Sequence, residues 1–295
     1  MKPPPFEYTA AASVEEALAA LTEHGDEAKV ISGGQSLVPL LAFRFARPSV
    51  LVDINRIRGL DGIELDGDTL TIGALARHRD VELDGALRAR CPMIVEAVAQ
   101  VGHAAIRNRG TVGGSLAHSD PAAEWTALAL ALDAELDVVG PSGSRVVAAG
   151  DFFVTYFTTA LAPDELLVRA RFRIPNGRSG STFVELARRH GDFALAGVGA
   201  LVTLDDDDVV ADVRIGLIGV GATAVRASSG EEAVRGRRPT ADVLVEAAAA
   251  VDADIDPNTD VHASADYRRL IAGVLVRRAL ETAIARARGG DDGRS

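Results

Sequence analysis

The sequence predicts an α+β fold, and three observations carry that expectation. Helix-like and strand-like patterns alternate through the first 175 residues, after which strands and then helices follow in blocks. A run of turn formers, Pro175-Asn176-Gly177-Arg178-Ser179-Gly180-Ser181, lacks apolar periodicity and separates the two regimes. The chain has 295 residues and is 47% apolar, enough for one large domain or two smaller ones with full cores. The expected division is residues 1–175, residues 176–288 and a disordered tail at 289–295.

Taken in order, Ser13-Val14-Glu15-Glu16 is a capping box with Val14, Ala17, Leu18 and Leu21 as an apolar helical stripe behind it. Ala28 to Ile31, Ser49 to Ile54 and Thr69 to Ala74 read as strands, the last after an Asp66-Gly67-Asp68 turn. Pro92 suits a first helical position and opens a helix to about Val101. Asp120 and Pro121 are placed to cap and start a helix running from Ala122 to about Leu132. Leu136–Val139 and Ser144–Val147 flank Gly140-Pro141-Ser142-Gly143 as a hairpin, and Glu165 to Ile174 alternates like a strand. Beyond the divide, Val198–Leu204 and Val209–Val220 read as strands joined by the acidic run Asp205–Asp208, a solvated hairpin tip. That run is too compact for a calcium loop, which needs more ligands at wider spacing. Helices follow over Thr240–Val251 and Ser264–Arg288.

Composition narrows the function. The formal net charge of −11 argues against nucleic acid and anionic membranes as partners, because both favour basic patches. No eighteen-residue apolar stretch offers a membrane span, and the N-terminus has no signal-peptide core, so the cytoplasm is the expected compartment. The single cysteine, Cys91, excludes an internal disulfide and a cysteine-ligated iron–sulfur cluster held by this chain alone, and reads as a small apolar residue ahead of a helix. The six histidines show no metal-ligand spacing, so no metal site is expected.

Two glycine-rich segments stand out. The first is Ile31-Ser32-Gly33-Gly34-Gln35-Ser36-Leu37, after the Ala28–Ile31 strand; the second is Ile106-Arg107-Asn108-Arg109-Gly110-Thr111-Val112-Gly113-Gly114-Ser115. Glycine lets a backbone approach a ligand closely, and successive free N–H groups cradle anions. Two such cradles, with the hydroxyls of Ser32, Ser36, Thr111 and Ser115, suit a diphosphate such as that of a dinucleotide. Neither segment is the G-x-G-x-x-G fingerprint or a P-loop. A Gly-Gly pair alone also reads as a plain turn in a chain with 29 glycines, so the longer strings carry the weight.

Those strings resemble the two flavin segments of the FAD-binding medium subunits of the xanthine dehydrogenase family, especially the medium subunits of aerobic carbon monoxide dehydrogenase and related molybdenum hydroxylases. The resemblance rests on Ser32–Leu37 and on Ile106 to Glu124, including Leu116-Ala117-His118-Ser119-Asp120-Pro121-Ala122-Ala123-Glu124. It extends to Leu51-Val52-Asp53-Ile54-Asn55, Arg188-Arg189-His190-Gly191-Asp192-Phe193-Ala194 and Ser264-Ala265-Asp266-Tyr267-Arg268-Arg269, nearly the whole chain. It implies a PCMH-type FAD-binding domain of two α/β subdomains, followed by a smaller domain of antiparallel sheet and helices. It implies noncovalent FAD, with molybdopterin on a large partner subunit and [2Fe–2S] clusters on a small one, in a dimer of heterotrimers. This chain would pass electrons from those clusters through FAD to a terminal acceptor, with no catalytic side chain of its own. Gln35 stands where many carbon-monoxide-oxidising members have histidine, a departure that bears on the substrate more than on the flavin.

By the same resemblance the flavin-contacting positions are Val30, Ile31, Ser32, Gly33, Gly34, Gln35, Ser36, Leu37, Val101, Thr111, Val112, Gly113, Gly114, Ser115, His118, Asp120, Glu124, Leu167 and Phe193. Plainer roles compete at several of these: helix capping for Asp120, core packing for Phe193. Arg107 and Arg109 read either as charge support near the phosphates or a subunit interface, or as solvent-facing ion pairs, and Asn108 as a turn residue. Trp125 reads as core. The other readings of the chain are a self-sufficient flavin oxidoreductase of the wider superfamily and a scaffold subunit without FAD.

Overall fold

The structure, a computed structural model, describes residues 2–289. The expected tail therefore falls outside the described residues, except for Gly289.

Among the described residues, three larger sheets and one two-stranded ribbon build the fold. The first is parallel: β1 (Glu7–Ala10) and β2 (Ala28–Ile31) flank β3 (Val50–Asp53), in the order β1-β3-β2. The helix Val14–His24 covers it, burying Ala17 and Leu21 as its apolar stripe demands. Ser13 caps this helix by accepting from the Glu16 amide, and Glu16 reaches back to the Ala12 amide, one residue beyond the Ser13 amide of a standard capping box. The second sheet is antiparallel, with strands β4 (Ile63–Asp66), β5 (Thr69–Gly73), β6 (Glu135–Gly140), β7 (Gly143–Ala148) and β10 (Leu166–Arg173) in the order β4-β5-β10-β6-β7. A short ribbon, β8 (Phe153–Thr155) with β9 (Thr158–Thr159), lies between β7 and β10. The third sheet, β11 (Ser179–Ala187), β12 (Ala194–Leu204), β13 (Val210–Ile218) and β14 (Val225–Arg226), is antiparallel in chain order.

The middle sheet is buried on both faces. Leu166 and Val168 of β10 join the core beneath the parallel sheet, whereas Leu167, Ala170 and Phe172 join the largest core. That core is centred on the helices Pro92–Gln100 and Glu124–Ala131, whose Trp125 is completely buried. Covering a side chain of this size contributes roughly 2–3 kcal/mol. The Trp125 indole N–H donates to Nδ1 of the buried His78 at 3.1 Å, so this polar group is satisfied. Burial, aided by Arg107 and Arg77, pushes the His78 imidazole down to about 4, so it stays neutral at pH 7.

The third sheet is shared between two cores by strand alternation. Ala196, Val198, Ala200 and Val202 of β12 face the long helix Ala265–Ala287, while Leu201, with Phe183 of β11 and Ile218 of β13, faces the helices Pro92–Gln100 and Glu124–Ala131. Along that second face Gly197, Gly199 and Gly216 replace side chains. A Cβ on Gly216 would collide with the Ala127 carbonyl, and one on Gly199 would stand 3.1 Å from Met93 Sδ. At Gly199 and Gly216 glycine sets how closely the two helices bed on the sheet.

The expected strands and long helices lie where periodicity placed them, with corrections. The helix after Pro121 begins at Glu124, with Ala123 as its N-cap. Asp120 instead closes a turn by accepting from the Ala122 amide at 2.9 Å. The segment Ser179–Ser181 belongs to β11 rather than to a loop, and β12 starts at Ala194 rather than Val198. The acidic tip is not wholly solvated, because Asp208 pairs with Arg178 and Arg288.

Gly216→Val should therefore cost about 3 kcal/mol or more of unfolding free energy, the scale of a backbone collision in a packed interior. Gly150→Ala, where a Cβ meets nothing within 4 Å, should change stability by no more than about 0.5 kcal/mol. Urea unfolding of both variants checks this; equal midpoints would contradict the packing described.

Candidate cofactor site

The site forms where β2 ends. Beyond Ile31 the chain turns through Ser32 to Ser36 into the helix Leu37–Phe43. Among the described residues, the amides of Ser32, Gly33, Gly34, Gln35, Ser36 and Leu37 have no acceptor within the chain. The turn needs glycine at position 34, whose φ of +72° is left-handed and strained for other residues. Gln35 folds back and donates to the Gly33 carbonyl at 2.9 Å, which leaves the amides outward. Successive unpaired donors of this kind form an anion nest.

The second glycine segment differs from the sequence expectation. It is not a loop with free amides. Thr111 caps a helix, Val112–His118, and its Oγ1 accepts from the Gly114 amide at 3.1 Å. The Val112 and Gly113 amides donate to the carbonyls of Ala76 and Ala74, and the Ser115 amide donates to the Thr111 carbonyl. All four donors are used internally, so this segment contributes shape and hydroxyls rather than a cradle.

The two segments touch. Ser32 Oγ and Thr111 Oγ1 lie 2.9 Å apart, and a Cβ on Gly33 would stand 2.7 Å from Gly110 Cα. A Cβ on Gly114 would reach both hydroxyls, at 2.7 and 2.8 Å. Residues that sequence reasoning passed over hold this contact. Asn55 donates to the Ser32 carbonyl at 2.8 Å and accepts from Arg77 at 2.7 Å, and Arg77 also donates to the Arg109 carbonyl. Asp53 accepts from Asn55 and from the Tyr8 hydroxyl. Burial works to raise the Asp53 carboxyl, but those hydrogen bonds and the Arg56 charge outweigh it and hold the group below its usual range. The backbone N–H of His78 bonds the Gly110 carbonyl. Asn55 lay within the family-like string 51–55; Arg77 and His78 carried no motif.

The remaining predicted residues distribute as follows. Val30 and Ile31 are half-buried in β2, and Val101 is half-buried at the end of the helix Pro92–Gln100. Leu167 is buried in the main core. His118 packs its ring against Phe157 at 5.1 Å, and burial lowers its pKa. Burial raises the Asp120 carboxyl. Glu124 starts its helix, with burial first and then the Glu185 charge raising its carboxyl to about 8. Phe193 is 73% exposed, which removes the core-packing alternative. It lies on the β11–β12 turn, whose Gly191 abuts His103, just ahead of the second segment. Arg107 is neither a phosphate support nor a solvent-facing pair: it is buried, bonded through two nitrogens to Glu82 at 2.9 and 3.0 Å and to the carbonyls of Val101 and Gly102. The Arg109 side chain is exposed.

These features fit an extended dinucleotide. Unpaired amides offer donors to a diphosphate, and glycines leave room beside them. Among the described residues no group of histidine, cysteine or carboxylate side chains is arranged to hold a metal ion, and no helix is long and apolar enough to cross a membrane.

Residues 4–177 match the FAD binding domain in molybdopterin dehydrogenase, and residues 181–283 match the CO dehydrogenase flavoprotein C-terminal domain. The 6-hydroxypseudooxynicotine dehydrogenase complex subunit alpha of Paenarthrobacter nicotinovorans is 43% identical over 98% of this chain and 97% of its own length. The carbon monoxide dehydrogenase medium chain of Hydrogenophaga pseudoflava is 39% identical over 97% of this chain and 99% of its own length. A solved carbon monoxide dehydrogenase from that organism superposes with a TM-score of 0.94 over 97% of this chain and 99% of that one, at 39% identity. Quinoline 2-oxidoreductase from Pseudomonas putida 86 gives 0.91 at 35% identity, over 97% of this chain and 99% of that one. With both domains matched and full-length relatives at 39–43% identity, the chain belongs to the FAD-binding medium subunits of the molybdenum hydroxylases, the family of xanthine and carbon monoxide dehydrogenases.

Proposed function

We propose that this chain binds one FAD noncovalently between its two glycine segments and serves as the electron-transfer subunit of a cytoplasmic molybdenum hydroxylase. In this reading a large subunit oxidises the substrate at molybdopterin, and a small subunit relays electrons through [2Fe–2S] clusters. The assembly is a dimer of heterotrimers. Relatives named as the medium chain or a lettered subunit of dehydrogenase complexes support this, among them the caffeine dehydrogenase subunit beta of a Pseudomonas strain. So does Cys91, the only cysteine, which is buried with its thiol raised to about 11 by that burial and is unsuited to ligate a cluster.

The observation that carries the reading is the run of unpaired amides from Ser32 to Leu37. Flavin, when bound, supplies the redox chemistry; the chain supplies position and surroundings. The amides of Gly33 to Ser36 donate toward the diphosphate, and Arg77, tied to both segments, adds positive charge. The Ser32–Thr111 contact sets the width of the cleft. The exposed ring of Phe193 would offer a face to the isoalloxazine, with no proton to give.

Gly114→Val would drive a branched side chain into the Ser32 and Thr111 hydroxyls and should weaken FAD binding by about 100-fold, the scale of two or three lost hydrogen bonds. Circular dichroism should stay near wild type, whereas retained stoichiometric flavin would contradict the site. Phe193→Ala should lower FAD affinity and alter the flavin spectrum, with stability changed by less than about 0.5 kcal/mol because the ring is exposed. Phe193→Tyr should behave as wild type. Expressed with its neighbouring genes, the chain should copurify with a molybdopterin subunit and an iron–sulfur subunit. Alone it should hydroxylate nothing; turnover of an organic substrate by the isolated FAD-loaded chain would favour a self-sufficient oxidoreductase.

A further inference from the structure

The amides of the first segment must be aimed before they can act as a nest. Convergent N–H dipoles repel one another, and glycine puts no side chain in the way of a peptide flip. A trans peptide is planar, so its C=O and N–H point in opposite directions, and every peptide bond among the described residues is trans. A side chain that holds one residue's carbonyl therefore fixes the direction of the next residue's amide. Two carboxamides do this at successive peptides. Asn55 Nδ2 donates to the Ser32 carbonyl at 2.8 Å, which points the Gly33 amide away from Asn55. Gln35 Nε2 donates to the Gly33 carbonyl at 2.9 Å, which points the Gly34 amide away from the Gln35 carboxamide. Neither amide has an acceptor within the chain, although Gly33 is buried.

The partners of Asn55 allow its carboxamide one orientation. Nδ2 faces two acceptors, the Ser32 carbonyl and Asp53 Oδ1 at 2.6 Å, and Oδ1 faces a donor, Arg77 Nη2 at 2.7 Å. Both of its N–H groups and its oxygen are thus committed. Asp53 is fixed in turn by the Asn55 backbone amide at 2.8 Å and by the Tyr8 hydroxyl. Arg77 carries the chain of bonds on to the Arg109 carbonyl, just ahead of the second segment. An aspartate at position 55 would keep the shape and lose the donors, turning lone pairs toward the Ser32 carbonyl and Asp53. Gln35 is exposed and reaches back only two residues.

We propose that Asn55 and Gln35 are positioning residues for the cofactor's diphosphate: Asn55 aims the Gly33 amide and Gln35 aims the Gly34 amide. Donors already held in place need no reorganisation when an anion arrives, which is where their contribution to binding lies. Asn55 also couples that aim to the width of the cleft, because the same side chain receives Arg77. The inference deepens the FAD reading above and rests on it.

The test uses the full chain, with wild type, Gln35→Met and Asn55→Ala compared in FAD dissociation constant and in residue-resolved amide exchange at saturating FAD. Methionine matches glutamine in length but donates nothing. Gln35→Met, at an exposed side chain, should keep the wild-type unfolding temperature and weaken FAD binding about 3- to 10-fold, the scale of one neutral hydrogen bond. Its Gly34 amide should lose most of the protection that FAD confers, while Gly33 keeps it. In Asn55→Ala the pattern should reverse, Gly33 losing protection and Gly34 keeping it, with FAD weakened about 10- to 100-fold because Arg77 is released as well. A role in folding alone would move these amides together, so equal protection of Gly33 and Gly34 in both variants would overturn the proposal. If Asn55→Ala does not fold, Gln35→Met decides: wild-type protection of Gly34 in that variant would overturn it. A wild-type chain that takes up FAD without protecting either amide would overturn the aiming and leave FAD binding in place. A wild-type chain that takes up no FAD would defeat the cofactor reading, and the proposal with it.

Discussion

The backbone of Gly33 lies against that of Arg109 and Gly110, and the site depends on this contact. No side chain fits between them. The contact brings the end of a strand in the parallel sheet to the start of a helix that follows the middle sheet, so two separately built subdomains share one cleft. Asn55 and Arg77 bond both sides and hold the spacing, and the Ser32–Thr111 hydroxyl pair closes it. A wider gap would give up the shape while keeping every secondary element.

The two segments divide the work unequally. Both are glycine-rich, yet only the first leaves its amides free, because Ser32 to Ser36 joins no sheet and precedes the first helical turn that Leu37 opens. In the second, the chain from Ala74 to His78 takes up the Val112 and Gly113 amides and bonds Gly110. The same residue type therefore does two jobs: outward-facing donors at Gly33 and Gly34, and close packing at Gly113, where a Cβ would stand 2.7 Å from Ala74 Cα. A third use appears at Gly199 and Gly216, which let the helices Pro92–Gln100 and Glu124–Ala131 rest on the C-terminal sheet.

Much of this was legible in the sequence. Alternation placed β10, short apolar runs placed β2 and β5, and Ser13 marked a helix start by its capping chemistry. The second segment hid its helix because two glycines in a first turn oppose helix propensity, and tertiary bonds from Ala74 and Ala76 override that preference. Asp120-Pro121 looked like a helix start, but the Asp120 side chain found the Ala122 amide first and delayed the helix to Glu124. β11 was masked by the turn formers that begin it. Arg77, Asn55 and His78 act through distant backbone, and no local spacing reports such contacts.

The most direct measurement is amide hydrogen exchange of the chain with and without saturating FAD. Gly33 to Ser36 should exchange rapidly without FAD and become strongly protected with it. Val112 to Ser115, bonded in either state, should change little. Unaltered exchange at Gly33 to Ser36 in a chain shown to hold stoichiometric FAD would contradict the nest as the seat of the diphosphate.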